Sequence, residues 1–194
     1  MNLLGLKTQG ISFCIILTSD AANVFWSATL AAGVLLTPGG PDRRGTRYLN
    51  IRMRCLNGRV LKPELLDTLP AEEARKSLAD LVRINRYWGG HSALRRLVED
   101  AIPSGETVTI LDVGAASGDM GRRLREWRPK AQVISLDYIE SHLADSTGPR
   151  VVADAFAHPF APRSFDYVFS SLFLHHFTDE QVVELLAGFG HLEH

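Results

Sequence analysis

A chain of 194 residues that is 45% hydrophobic and 22% charged can bury one ordinary core, so neither a disordered chain nor an array of domains is expected. Its formal net charge of -1 excludes the surplus of Lys and Arg that would draw it to nucleic acid or an acidic membrane surface, and points to a small-molecule partner. Cys14 and Cys55 stand far apart without C-x-x-C or zinc-type spacing, which fits a reducing cytoplasm.

Residues 11–17 (ISFCIIL) and 21–36 (AANVFWSATLAAGVLL) are apolar, with Asp20 between them. Each is shorter than the roughly 20 residues that cross a bilayer. Lys7 ahead of them leaves membrane association through residues 11–36 as the alternative to a cytoplasmic chain, and a leader or an extra packing helix is the plainer reading. Residues 37–57, rich in Gly, Pro and Arg, read as a linker, with Met53 an alternative start for the natural chain. Three regions are expected: a leader and linker over 1–62, an N-terminal helical segment over 63–104, and a partial Rossmann-like domain over 105–194.

From Pro70 the pattern becomes orderly. Glu72 and Glu73 suit a first helical turn, and Ala74, Leu78, Leu81 and Val82 recur at helical spacing. Gly89 and Gly90 in RINRYWGGH should break this helix, and a second carries Leu94, Leu97, Val98 and Ala101 before Pro103. Strands are expected at 108–113, 132–136, 151–153 and 165–174, with helices at 118–127 and 139–143 between them. A last helix is announced by Thr178 and Gln181 as a capping box. Strands alternating with helices, with apolar residues running through the strands, predict an α/β fold: a Rossmann-like, doubly wound parallel sheet, incomplete at its C-terminal side and preceded by helices.

Ligands of such sheets bind beyond the carboxyl ends of the strands, so the residues closing each strand carry the chemistry. The first ends in ILDVGAASGD (110–119), with small residues at Gly114, Ala116 and Gly118 and an acid at Asp119. A dinucleotide turn of G-x-G-x-x-G type wants a small residue at 119, and an acid there repels a pyrophosphate. A nicotinamide-dependent oxidoreductase is therefore the weaker reading.

ILDVGAASGD resembles the first motif of the class I S-adenosylmethionine-dependent methyltransferases. SLD ending at Asp137, ADAFAHPF around Asp154 and SFDYVFSSLFLHHF (164–177) are similar to the family's second, third and fourth strand ends, with small-molecule methyltransferases the nearest group. The resemblance implies S-adenosylmethionine as cofactor and a small-molecule methyl acceptor. It also implies a cofactor-binding set of Asp112, Gly114, Ala115, Ala116, Gly118, Asp137, Tyr138, Asp154, Ala155 and Ser171. Asp137 would accept both ribose hydroxyls and Asp154 the adenine amino group, beside the Ala155 and Phe156 backbone. Gly114 and Ala116 would pass close to the amino acid portion, and Asp112 would orient that loop or the ligand's ammonium. Ala116 replaces the usual middle glycine, which is tolerated if its φ is negative. No catalytic base is implied, since methyl transfer needs one only when the acceptor loses a proton.

Other readings are blander. Asp166 supports a strand start. His175 and His176, as neighbours on a strand, point to opposite faces, so one of them is expected to line the pocket, and adding His191 and His194 makes no convincing metal site. Tyr87 and Trp88 are core aromatics by default, whereas the resemblance places RINRYWGG near the cofactor as a lid. The family's sheet continues beyond the fourth strand; without that continuation the fourth strand is an exposed edge, open to self-association, and the chain is either an active enzyme or a non-catalytic cofactor-binding fragment.

Overall fold

The computed structural model describes residues 69–192 and, ahead of them, the backbone of three strands: β1 (Ile15–Thr18), β2 (Val34–Pro41) and β3 (Arg47–Met53). Helices α1 (Ala71–Tyr87) and α2 (Gly90–Ala101) lead into β4 (Thr109–Val113), α3 (Asp119–Trp127), β5 (Gln132–Asp137), β6 (Arg150–Val152), β7 (Tyr167–Ser171) and α4 (Asp179–Leu192). Single 3-10 turns occupy Glu140–Asp145 and Leu174–His176.

Local chemistry sets these boundaries. Glu72 and Glu73 meet the positive end of α1 and Arg86 its negative end, while Gly89, at φ 97, turns the chain into α2. The capping box before α4 forms as expected: the Thr178 N–H donates to Gln181 Oε1 at 3.0 Å and the Gln181 N–H to Thr178 Oγ1 at 3.3 Å. Asp166 holds a strand start, accepting from the Thr109 N–H at 2.7 Å and its hydroxyl at 2.8 Å.

The sheet order is β1-β7-β4-β5-β6. Strands β7, β4, β5 and β6 are parallel, and β4 lies between β5 and β7, so the winding direction reverses at β4. Alternate residues face opposite helical layers. Ile110, Val133 and Phe169 pack with Leu94, Val98, Met120 and Leu124 of α2 and α3. Leu111, Val113, Leu136 and Val168 pack with Val182, Leu185 and Phe189 of α4. Each of these large side chains contributes about 1.5–3 kcal/mol of burial free energy, and together they fix the strand ends that face the ligand side.

The N-terminal region departs from expectation. β1 pairs antiparallel with β7, Ile15 opposite Ser171 and Thr18 opposite Val168, so β7 is not an edge and the basis for self-association through it is removed. Residues 15–18 form a strand rather than a packing helix. In place of a linker, β2 and β3 form an antiparallel hairpin, Val34 opposite Met53 and Thr37 opposite Asn50, with a register shift between Pro38 and Pro41. The rest of the leader, Cys14, Cys55 and His194 lie outside the described residues. Among the described residues no helix is long and apolar enough to cross a membrane. The fourth strand is shorter than its apolar run because Leu172 turns to φ 55 and the 3-10 turn follows.

Candidate cofactor site

A cavity of about 660 Å³ opens at the carboxyl ends of the four parallel strands. Each strand end supplies part of its wall: Val113 and Gly114 after β4, Asp137 and Tyr138 after β5, Asp154 to Phe156 after β6, and Leu172 and Phe173 after β7. His142 from the first 3-10 turn, and His176, Phe177 and Gln181 from the approach to α4, close it.

Asp137 organises the β4 and β5 ends. Its Oδ2 accepts the Ala116 N–H at 2.8 Å, its Oδ1 accepts the Ile139 N–H at 3.0 Å, and Nδ1 of the buried His142 lies 3.6 Å from Oδ1. Burial pushes this carboxyl up, but His142 and the two N–H groups outweigh it and hold the group below its ordinary value. Each oxygen still has acceptor capacity toward the cavity. On the next strand, Asp154 Oδ1 accepts the Phe156 N–H at 2.9 Å, a short turn that leaves the exposed carboxylate at the cavity mouth.

The β4 loop is tied inward. Gly114 and Ala115 both donate to the Leu136 carbonyl, at 2.9 and 3.0 Å, and Ala116 donates to Asp137. Three successive N–H groups are thus committed within the protein, which leaves them without the role a phosphate-cradling loop requires. Asp119, at the start of α3, is buried beside His91 Nε2 at 2.5 Å and an Arg122 nitrogen at 2.9 Å. This anion sits where a pyrophosphate would need positive potential.

Of the ten residues implied by the resemblance, Gly114, Asp137, Tyr138, Asp154 and Ala155 line the cavity. Asp112, Ala115, Ala116, Gly118 and Ser171 lie off its wall. Ala116 sits at φ 47, in the left-handed region, so the condition of a negative φ is not met; the alanine carries backbone strain of about 1–2 kcal/mol, offset by its bond to Asp137. Ser171 Oγ is buried with no hydrogen-bond partner among the described residues.

Asp112 follows the pleat of β4 to the α3 side. A Cβ on Gly121 would stand 3.2 Å from its Oδ2 and 3.5 Å from Ser135 Oγ, so the glycine admits α3 against this carboxyl. Burial first, then the Asp137 carboxylate, push Asp112 up to about 7, with the Gly121 N–H and Arg125 pulling back. A raised folded value means its contribution to stability is full below the unfolded value of about 3.9 and is lost as pH rises to about 7. Asp112→Asn should therefore flatten the fall in stability between pH 4 and 7, and should stabilise the chain at pH 8 by up to ~4 kcal/mol in urea unfolding.

Several site residues escaped the sequence reading. His142 is five positions beyond Asp137 on a turn too short to carry a periodic signal. Phe173 and Phe177 are spaced by four, their rings 4.8 Å apart at 66°, but the pattern looks like core. His175 and His176 sit in the 3-10 turn rather than on a strand, with rings stacked 4.2 Å apart; His176 reaches the cavity. Tyr87 and Trp88, 73% and 61% exposed, are neither core aromatics nor part of the cavity wall. Among the described residues no group of three or more His, Cys, Asp or Glu is arranged to hold a metal ion.

Residues 110–192 match the family described as methyltransferase domain. Over that segment, which is less than half of the chain, the sequence is thus similar to a methyltransferase domain. The fold is shared with a protein of Methanococcus maripaludis assigned to the S-adenosyl-L-methionine-dependent methyltransferases, at 11% identity and TM-score 0.53 over 69% of this chain and 62% of that one. The chain thus spans under two thirds of that protein's length. The YcgJ protein of Bacillus subtilis overlaps at 20% identity and TM-score 0.45, over 53% of this chain and 46% of that one. Haemonchus contortus phosphoethanolamine N-methyltransferase 1, crystallised with phosphoethanolamine and S-adenosylhomocysteine, overlaps at 18% identity and TM-score 0.45, over 68% and 32%. At these identities the similarity speaks to fold. No curated relative matches the sequence.

Proposed function

We propose that this chain transfers a methyl group from S-adenosylmethionine to a small-molecule acceptor, with the cofactor lying across the strand ends from Asp154 to Gly114. The observation that carries this reading is the pair of carboxylates, Asp137 and Asp154, on adjacent strand ends of one cavity beside an inward-tied glycine loop. The residues fit the cofactor's chemistry. Asp137 offers oxygens to a ribose diol, Asp154 a carboxylate to an adenine amino group, and the cavity falls within the ~300–1,000 Å³ range of small-molecule sites.

Bound there, S-adenosylmethionine supplies a methyl group activated by its sulfonium. The chain's own residues then bind, orient and exclude water: Asp137 fixes the ribose end, and Phe173 over Gly114 shields the reacting end. An in-line transfer needs alignment above all, so no nucleophilic triad is required. The Asp119 anion and the committed loop N–H groups weigh against a dinucleotide. Because the chain spans 62% of the Methanococcus protein, catalysis by this chain alone is part of the proposal.

Calorimetric titration of the folded chain with S-adenosylmethionine and with NAD tests it. Heat with the first and none with the second is expected; no heat with S-adenosylmethionine would overturn the reading. Binding without product across an acceptor panel would instead mark the chain as a cofactor-binding fragment.

A further inference from the structure

Beyond the carboxylates the cavity changes character. Toward α4 its wall is Phe156, Leu172, Phe173, His176, Phe177 and Gln181. Phe177 meets Phe156 edge-on at 5.4 Å and 76°, and Phe173 at 4.8 Å and 66°, so three rings form a continuous aromatic wall. Gln181 Oε1 is taken by the Thr178 N–H, which leaves its amide NH2 as a hydrogen-bond donor. Among the described lining residues the formal charges are those of Asp137 and Asp154, with no Lys or Arg.

We propose that the methyl acceptor is an uncharged molecule with an aromatic or extended apolar frame, seated against the Phe177–Phe173 end of this wall, and that phosphate- or carboxylate-bearing acceptors are excluded. This rests on the reading of the cavity as a methyltransferase site. Among the described lining residues the fixed charges are the two carboxylates, with His142 held against Asp137 and no Lys or Arg, so an acceptor anion would give up its water against a net negative wall. A flat apolar frame instead gains burial and edge-to-face contact, while one polar group can take the Gln181 donor. In the transfer, a lone pair on the acceptor atom forms the new bond to the methyl carbon as the carbon–sulfur bond breaks. The electron pair passes to sulfur, and any proton on the acceptor goes to solvent.

The test uses the whole chain saturated with S-adenosylhomocysteine, titrated calorimetrically with three matched probes: 1-naphthylmethanol, 1-naphthoate and 1-naphthylmethyl phosphate. The alcohol should bind at least about ten-fold tighter than either anion, since burying an unpaired charge is costly. Phe177→Leu, which keeps apolar bulk but removes the ring, should weaken the alcohol several-fold more than it weakens S-adenosylhomocysteine. Equal or tighter binding of the anions, no binding of the alcohol, or an equal loss of S-adenosylhomocysteine in Phe177→Leu would overturn the inference and leave the cofactor reading standing. Failure of S-adenosylhomocysteine to bind the folded wild-type chain would overturn both.

Discussion

Asp137→Ala should weaken S-adenosylmethionine binding by at least about 100-fold, the loss expected when a charge-assisted pair of hydrogen bonds goes and the loop that shapes the site loosens. The carboxylate has two duties. Toward the cavity it offers acceptor oxygens, and toward the protein it holds the Ala116 and Ile139 N–H groups at 2.8 and 3.0 Å. The alanine variant strands both donors, each worth about 1–3 kcal/mol if left buried without a partner. It also frees Ala116 from the bond that offsets its φ of 47. Asp137→Asn separates the duties, because one amide oxygen can still accept while the charge is gone; its affinity should fall between the two. With a folded value held below the ordinary one, Asp137 contributes stability above its unfolded value of about 3.9 and loses it as pH falls through the lower folded value. Affinity from this group should therefore stay level from pH 8 to about 5 in calorimetry, with circular dichroism showing that each variant is folded.

The strand ends were legible because parallel strands buried on both faces carry apolar runs that stop where the backbone meets solvent. Asp137 and Asp154 are the first polar residues after such runs, and both reach the cavity. Asp112 shows what the pattern conceals. It is also an acid near a strand end, but it precedes the end by one residue, and the two-residue pleat sends it beneath α3 with Ser135 instead of over the edge. Alternation with Leu111 and Val113, which both face α4, was the available signal.

Other features had no local signal. The pairing of Ile15 with Ser171 joins two segments far apart in the chain through backbone groups, which any short strand possesses, so periodicity does not identify the partner. The β2–β3 hairpin hid for a related reason. Gly and Pro mark a turn and a linker alike, and only the flanking register distinguishes them. The conformation of Ala116 likewise depends on what Asp137 does to its N–H, a contact between strand ends rather than a property of the loop.

Gly114→Ala should remove cofactor binding and destabilise the chain by about 2–4 kcal/mol, combining left-handed backbone strain with overpacking. Gly114 has φ 68, and a Cβ there would fall 2.3 Å from Phe173 Cδ2 and 2.8 Å from Phe173 Cβ. The tip of a flexible side chain could swing away, but a clash reaching back to Cβ requires the end of β7 to move. That end is already constrained by Leu172 at φ 55. The displacement would open the aromatic wall on one side and the cofactor loop on the other. Removing the ring in Gly114→Ala/Phe173→Ala tests the division between the two costs. If the clash dominates, the second substitution should restore part of the stability lost in urea unfolding, with a coupling of about 1–3 kcal/mol between the sites. Strictly additive losses would assign the effect to the backbone conformation of Gly114 together with the 2.8 Å contact to the Phe173 Cβ that alanine retains, and the ring of Phe173 would then have no energetic part in holding the loop.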